Sequence, residues 1–173
     1  MSVKLPVWDP LVRLFHWSLV AAFVANAFFT RSGKEVHQWV GYAVAGLIAL
    51  RLIWGLVGTR HARFADFPPS PSAVLGQIGD MATGRRRRHE GHSPLGALMI
   101  YNLLLTMAGL AASGYAMTTL AFFGVGWVEE AHEVLVVWAE ISVVVHIVAV
   151  VLESRRLGVN LPKSMVTGYK TFR

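Results

Sequence analysis

The sequence predicts an all-α integral membrane protein, a four-helix bundle running up, down, up and down through the bilayer. Three observations predict it. Hydrophobic residues fill 54% of the 173 positions and charged residues only 15%, where a soluble domain carries about 25% charged residues. The apolar residues gather in four runs, each near the roughly 20 residues that a helix needs to cross a bilayer. The basic residues gather around those runs, and on one side of them. At this length a single domain over residues 1–173 is the natural reading.

The first run covers residues 11–29. Asp9 is a good helix cap before it, and Pro10 suits the first helical position. No cleavable signal peptide is evident, so this run is expected to stay in the membrane. The second run covers residues 37–57, the third 94–117 and the fourth 130–152. Ser93 and Pro94 repeat the cap-then-proline signal at the third. The connection over residues 58–93 is long for a simple loop. Within it, residues 72–81 are expected to form a short amphipathic helix on the membrane surface. Residues 153–173 form a tail.

Orientation follows from lysine and arginine. Fourteen of the 16 lie at the N-terminus, in the 58–93 loop with its flanks, or in the tail; Arg31 and Lys34 are the exceptions. The positive-inside rule then puts both termini and the long loop in the cytoplasm. In a bacterium this is a multi-pass inner-membrane protein with two short periplasmic loops. The net charge of +6 is explained by topology, not by nucleic acid. The Arg85–Arg88 run is expected to meet anionic lipid headgroups.

There is no cysteine. That excludes disulfides, iron–sulfur clusters, zinc–thiolate sites and covalently attached haem. Histidines are the remaining candidates, and four of the seven fall in or at the ends of the runs, where ionisable residues are rare and functional. By depth they sort into two pairs, His16 with His146 and His37 with His132. His132 and His146 are 14 residues apart, about 21 Å along a helix axis and only about 40° apart around it. One helix thus offers two imidazoles to one face at two depths, and two other helices offer one at each depth. Facing imidazoles from neighbouring helices are the axial ligands of haem iron. Two non-covalent b haems are the expectation, with Zn²⁺ disfavoured because its ligands must converge on one point.

Several segments carry a family resemblance. They are Val7-Trp8-Asp9-Pro10, Arg13-Leu14-Phe15-His16-Trp17, His37-Gln38-Trp39-Val40-Gly41-Tyr42, Arg51-Leu52-Ile53-Trp54-Gly55 and His61-Ala62-Arg63-Phe64. Gly91-His92-Ser93-Pro94 and the tail from Asn160 to Lys170 add to them. Together the chain resembles the bacterial cytochrome b561 family, which includes the b-type cytochrome subunits of nickel–iron hydrogenases. The resemblance implies two b haems and quinone-linked electron transfer across the membrane.

Other residues take supporting roles. Gly41, one turn from His37, is expected to leave room for a flat macrocycle, while the other span glycines suit close helix packing. Arg13 and Arg51 are the candidates for holding haem propionates, against the plainer reading of snorkelling to phosphates. Glu140, His61 and His92 are the candidates for a quinone or proton site. For Glu140 a structural bond to Asn102 or Ser113 is the preferred alternative.

The functional expectation is an electron-transfer cytochrome linking ubiquinone or another quinone to a periplasmic partner. That partner is a cytochrome c, or a dehydrogenase or hydrogenase subunit. One alternative is a stand-alone oxidoreductase, such as one oxidising superoxide and reducing quinone. A second is a non-redox transporter or assembly subunit. No glycine-rich dinucleotide fingerprint is present, so NAD(P)H is not an expected donor.

Overall fold

In the computed structural model, which describes residues 3–172, long helices dominate. The elements are β1 (Val3–Pro6), α1 (Pro10–Val24), α2 (Glu35–Val57), α3 (Pro71–Ala82), α4 (Pro94–Ala116), α5 (Gly126–Leu157), α6 (Leu161–Thr167) and β2 (Tyr169–Phe172). A π-helical turn, Ala25–Phe29, prolongs α1, and two short 3₁₀ turns follow α2. Four segments are long and apolar enough to cross a membrane: Pro10–Phe29, Glu35–Val57, Pro94–Ala116 and Gly126–Leu157. Their apolar side chains are largely exposed. In water that surface would be untenable, and in lipid it is solvated. The molecule is therefore a helical membrane bundle protein.

Chain contacts divide it into two compact units, and each of the four long helices contributes to both. The first unit contains the chain up to Arg13, Ile53–Tyr101, and the chain from Val144 onward. The second contains Leu14–Leu52 and Asn102–Val143.

The first unit is cross-linked by polar side chains. Asp9 caps α1, its Oδ1 accepting from Val12 N at 2.9 Å. Its Oδ2 accepts from Thr59 Oγ1 at 2.6 Å and Trp54 Nε1 at 3.2 Å. Burial opposes the charged form of Asp9, but the bonds from Thr59, the Val12 backbone, Trp54 and the Leu11 backbone outweigh it. The carboxyl is therefore held below its ordinary value. Trp8 Nε1 donates to the buried Ser164 Oγ at 3.1 Å. β1 and β2 pair antiparallel, with Leu5 opposite Lys170. Asn160 caps α6, and Gly168 ends it in a left-handed turn at φ 88°. A Cβ at Gly168 would lie 2.9 Å from Trp8 O, so only glycine fits.

Three features of this unit lie outside the sequence expectations: the paired terminal strands, α6, and the continuation of α5 to Leu157. α5 runs on because Arg156 bonds Glu153 one turn back, at 2.7 Å from Nε to Oε2. α3 starts from Ser70, whose Oγ accepts from Ala73 N, and Pro71 occupies its first position. Ser93 caps α4 through Gly96 N at 3.2 Å.

The second unit is held mainly by apolar packing of Phe15, Val44, Ile48, Leu104, Met107, Val128 and Ala139. Its polar side-chain bonds include one between Tyr42 and Thr118, and groups of them surround the histidines and Asn102. Asn102 Nδ2 donates to Ser142 Oγ at 2.9 Å, and its Oδ1 accepts from Trp138 Nε1 at 2.9 Å.

Candidate functional site

Two of the four span histidines, His37 and His132, fall in the second unit together with the groups that orient them. His37 stands in the first turn of α2 and is partly buried. Its Nδ1 lies 3.0 Å from Thr30 Oγ1. The Thr30 hydroxyl has one proton, and Asn26 takes it, with Oδ1 at 3.1 Å and the backbone O at 3.3 Å. With that proton on Asn26, Thr30 accepts from His37 Nδ1–H, the tautomer that leaves Nε2 open. Asn26 Nδ2 in turn donates to His37 O at 3.1 Å. The π-helical turn supplies this geometry: its Thr30 N to Ala25 O bond of 3.0 Å sets Asn26 and Thr30 side by side.

His132, in the second turn of α5, repeats the arrangement with other residues. Its Nδ1 lies 2.9 Å from Ser113 Oγ. The Ser113 proton goes to Gly109 O at 2.8 Å, one turn back in α4. In that arrangement Ser113 accepts from His132 Nδ1–H. Each imidazole thus has a hydroxyl at Nδ1, and in the Nδ1–H tautomer its Nε2 lone pair is open. An imidazole held at Nδ1 and open at Nε2 is how proteins prepare histidine for a metal. Among the described residues no three histidines or carboxylates converge as a zinc site requires. The donor set suits haem iron, which takes one imidazole from each side.

The glycines divide by their surroundings. A Cβ on Gly114 would press on His132 Cε1 at 3.3 Å, and one on Gly109 on Leu135 Cδ1 at 3.1 Å. These two permit close packing. Gly41, one turn from His37, has open space beside it. An apolar groove in the same unit is lined chiefly by alanines of α2 and α4, among them Ala45, Ala49, Ala108 and Ala111.

His16 and His146 are each partly buried and fall in different units. The His16 ring meets Trp17 edge-on, with centroids 5.1 Å apart. Three residues before it, Arg13 has a buried Nε without a hydrogen-bond partner among the described residues. Arg51 is almost wholly buried, at 3% exposure. Glu140 is exposed, and the bond expected from Asn102 or Ser113 is not made. Asn102 is engaged with Ser142 and Trp138, and Ser113 with His132.

In the first unit, His61 Nδ1 lies 2.9 Å from Asp66 Oδ2, and Arg60 also reaches Asp66, at 3.5 Å. His92 is packed between Phe67 and Trp8, with ring centroids at 4.2 and 4.6 Å. Sequence reasoning overlooked Lys170. It is 5% exposed, its Nζ donates to the backbone oxygens of His89 and Gly91, and it lies 5.3 Å from the Trp8 ring centroid. Burial brings it down to about 8. His89 is likewise lowered, by burial and then by Lys170 and Arg87. Thr30 and the histidine-directed role of Ser113 were also overlooked. The available signal was a small hydroxyl in or beside a span near each histidine.

The family model for prokaryotic cytochrome b561 matches residues 7–168. No curated protein and no solved structure matches the chain. The matched segment contains all four membrane-crossing helices and all four span histidines. The chain belongs to the prokaryotic cytochrome b561 family, and is a multi-pass membrane b-type cytochrome of electron transport that carries haem b.

Proposed function

We propose that this cytochrome holds two b haems, one in each half of the bilayer, and passes electrons between the quinone pool and a periplasmic redox partner. The observation that carries the reading is the matched setting of His37 and His132, each with Nδ1 within 3.0 Å of a hydroxyl that has another acceptor for its own proton. In this reading His37 and His132 would hold one iron, and His16 and His146 the other. The haem, when bound, supplies reversible one-electron chemistry. The chain supplies ligation, burial and charge compensation. The orphaned Nε of Arg13 suits a propionate. Arg51 is a second cation for that purpose, and the open side of Gly41 suits a macrocycle edge.

The termini and the 58–93 loop are assigned to the cytoplasm by their basic residues. On the opposite side Arg31 and Lys34 face Glu35, Glu129 and Glu130 in the sequence. That balance offers no cationic funnel for a small anion such as superoxide, and favours a relay to a protein partner. For quinone and proton exchange, His61 keeps an ionisable partner in Asp66, and Glu140 is an exposed carboxylate within a span. His92 is enclosed by aromatic rings, which supports a packing role.

The test is a haemochrome assay on the purified protein, with the reduced spectrum and quinol-driven reduction. Two haems per chain, both reduced by quinol, is the expected outcome. A Soret-free protein would support the transporter alternative. One haem per chain would defeat the two-level arrangement.

A further inference from the structure

The first unit carries a surface that electron transfer does not explain. α3 is built inside out. Gln77, 6% exposed, and Asp80, whose side chain is 15% exposed, point inward. Leu75, Ile78 and Met81 are exposed at 68, 48 and 45%. At ~100° per residue these three share an arc of about 120°, and Asp80 points about 160° from its middle. A helix facing water orients such residues the other way.

The depth of α3 is fixed by one bond. Gln77 Oε1 accepts from Leu95 N at 2.9 Å, and Leu95 is the second residue of α4. The middle of α3 is thus tied to the level at which a membrane span begins. An apolar helix face at that level meets the boundary between headgroups and acyl chains.

Behind α3 the chain turns at Gly84, φ 72°, into Arg85–Arg88, all exposed. This run is strapped to the unit. Arg85 O accepts from Arg156 Nη1 at 2.8 Å. Arg87 Nε lies 3.6 Å from Asp80 Oδ2, and the Arg88 guanidinium lies 5.6 Å from the Phe172 ring centroid. Four guanidinium forks, three of them in tethered residues, thus follow α3 directly, and such forks match phosphate oxygens.

We propose that α3 is an in-plane membrane anchor and that the arginine strap beside it selects anionic phospholipid in the adjoining leaflet. The chain already lies in a membrane, so the bilayer is the occupant within reach of the outward face. The strap's charge specifies the kind of lipid. A basic run of this type attracts anionic headgroups by up to about fivefold per arginine.

The chain has no cysteine, so single-cysteine probes report without background. Leu75→Cys and Ile78→Cys, with Ala73→Cys as the opposite-side control, are labelled with an environment-sensitive fluorophore. The haem-loaded protein is placed in nanodiscs of phosphatidylcholine with or without phosphatidylglycerol. Nitroxide carried on either lipid is the quencher. The outward probes should be blue-shifted and quenched, and the control should not. Quenching should be stronger from nitroxide on phosphatidylglycerol. Changing Arg85, Arg86, Arg87 and Arg88 to Gln should abolish that preference while haem content stays constant. Inorganic phosphate at equal ionic strength should not restore or displace it. Outward probes bathed in water, equal quenching by both lipids, or displacement by phosphate would overturn the proposal. So would probes shielded from both water and lipid, because a protein would then cover the face. Haem content is read separately, so failure here leaves the cytochrome reading intact.

Discussion

Two histidines of each compact unit are used in opposite ways. In the second, His37 and His132 each spend one nitrogen on a hydroxyl and keep the other open. In the first, His61 is committed to Asp66 and His92 is wedged between Trp8 and Phe67. The polar bonds of the first unit fasten chain segments together: Trp8 to Ser164, Asp9 to Trp54 and Thr59, Lys170 to the carbonyls of His89 and Gly91. The difference teaches that the neighbour of an imidazole, more than its presence in an apolar chain, marks a ligand. A hydroxyl whose proton is already used fixes the ring and its tautomer without consuming the lone pair that a metal needs.

The sharpest way to break this contrast is to remove the rings. His132→Ala should abolish one haem completely and leave the other, whereas His92→Ala should leave both haems and lower stability through lost packing. A haemochrome assay beside a thermal melt separates the two outcomes.

Next in size is a pH effect confined to the first unit. Lys170 is held near 8 by burial, below its ordinary 10.5. Below pH 8 it is charged in both folded and unfolded chains, and burying that charge costs stability. As pH rises from 8 to 10.5 the folded chain releases the proton while the unfolded chain keeps it, so stability rises, by about 3 kcal/mol in all. Unfolding in mixed micelles should show this rise in the wild type and not in Lys170→Met, with haem occupancy flat across the range.

Smaller again are the hydroxyls. Ser113→Ala and Thr30→Val remove the acceptors of His132 and His37, and should each weaken retention of the same haem by roughly 10- to 100-fold. Competition by apomyoglobin measures it. Equal retention in the variants and wild type would dissolve the contrast between the units. Last is Asp9→Ala, which touches stability alone: it removes the cap of α1 and the acceptor of Thr59 and Trp54, and should cost about 1–3 kcal/mol without changing haem content.

What the sequence revealed followed from local chemistry. The apolar runs, the caps at Asp9 and Ser93, and a short helix near residues 72–81 are all written in neighbouring residues, and the structure contains α3 at Pro71–Ala82. What it hid depends on distant partners. β1 and β2 join opposite ends of the chain, and the burial of Lys170 exists only once they pair. The charges of Arg155 and Arg156 suggested that the fourth run had ended, yet a bond to Glu153 carries α5 through them. The π-helical turn at Ala25–Phe29 has no composition signal, since Asn26 and Thr30 acquire their purpose from α2. Ser113 was legible as a polar residue in a span. Whether it served Glu140 or His132 required coordinates.

The most direct measurement is haem per chain in His37→Ala, His132→Ala and the double variant, assayed side by side. Ligation of one iron by both rings predicts that all three lose the same single haem, so the double variant retains as much as either single one. A double variant that loses clearly more than each single variant would mean the two histidines serve different haems, contradicting the pairing.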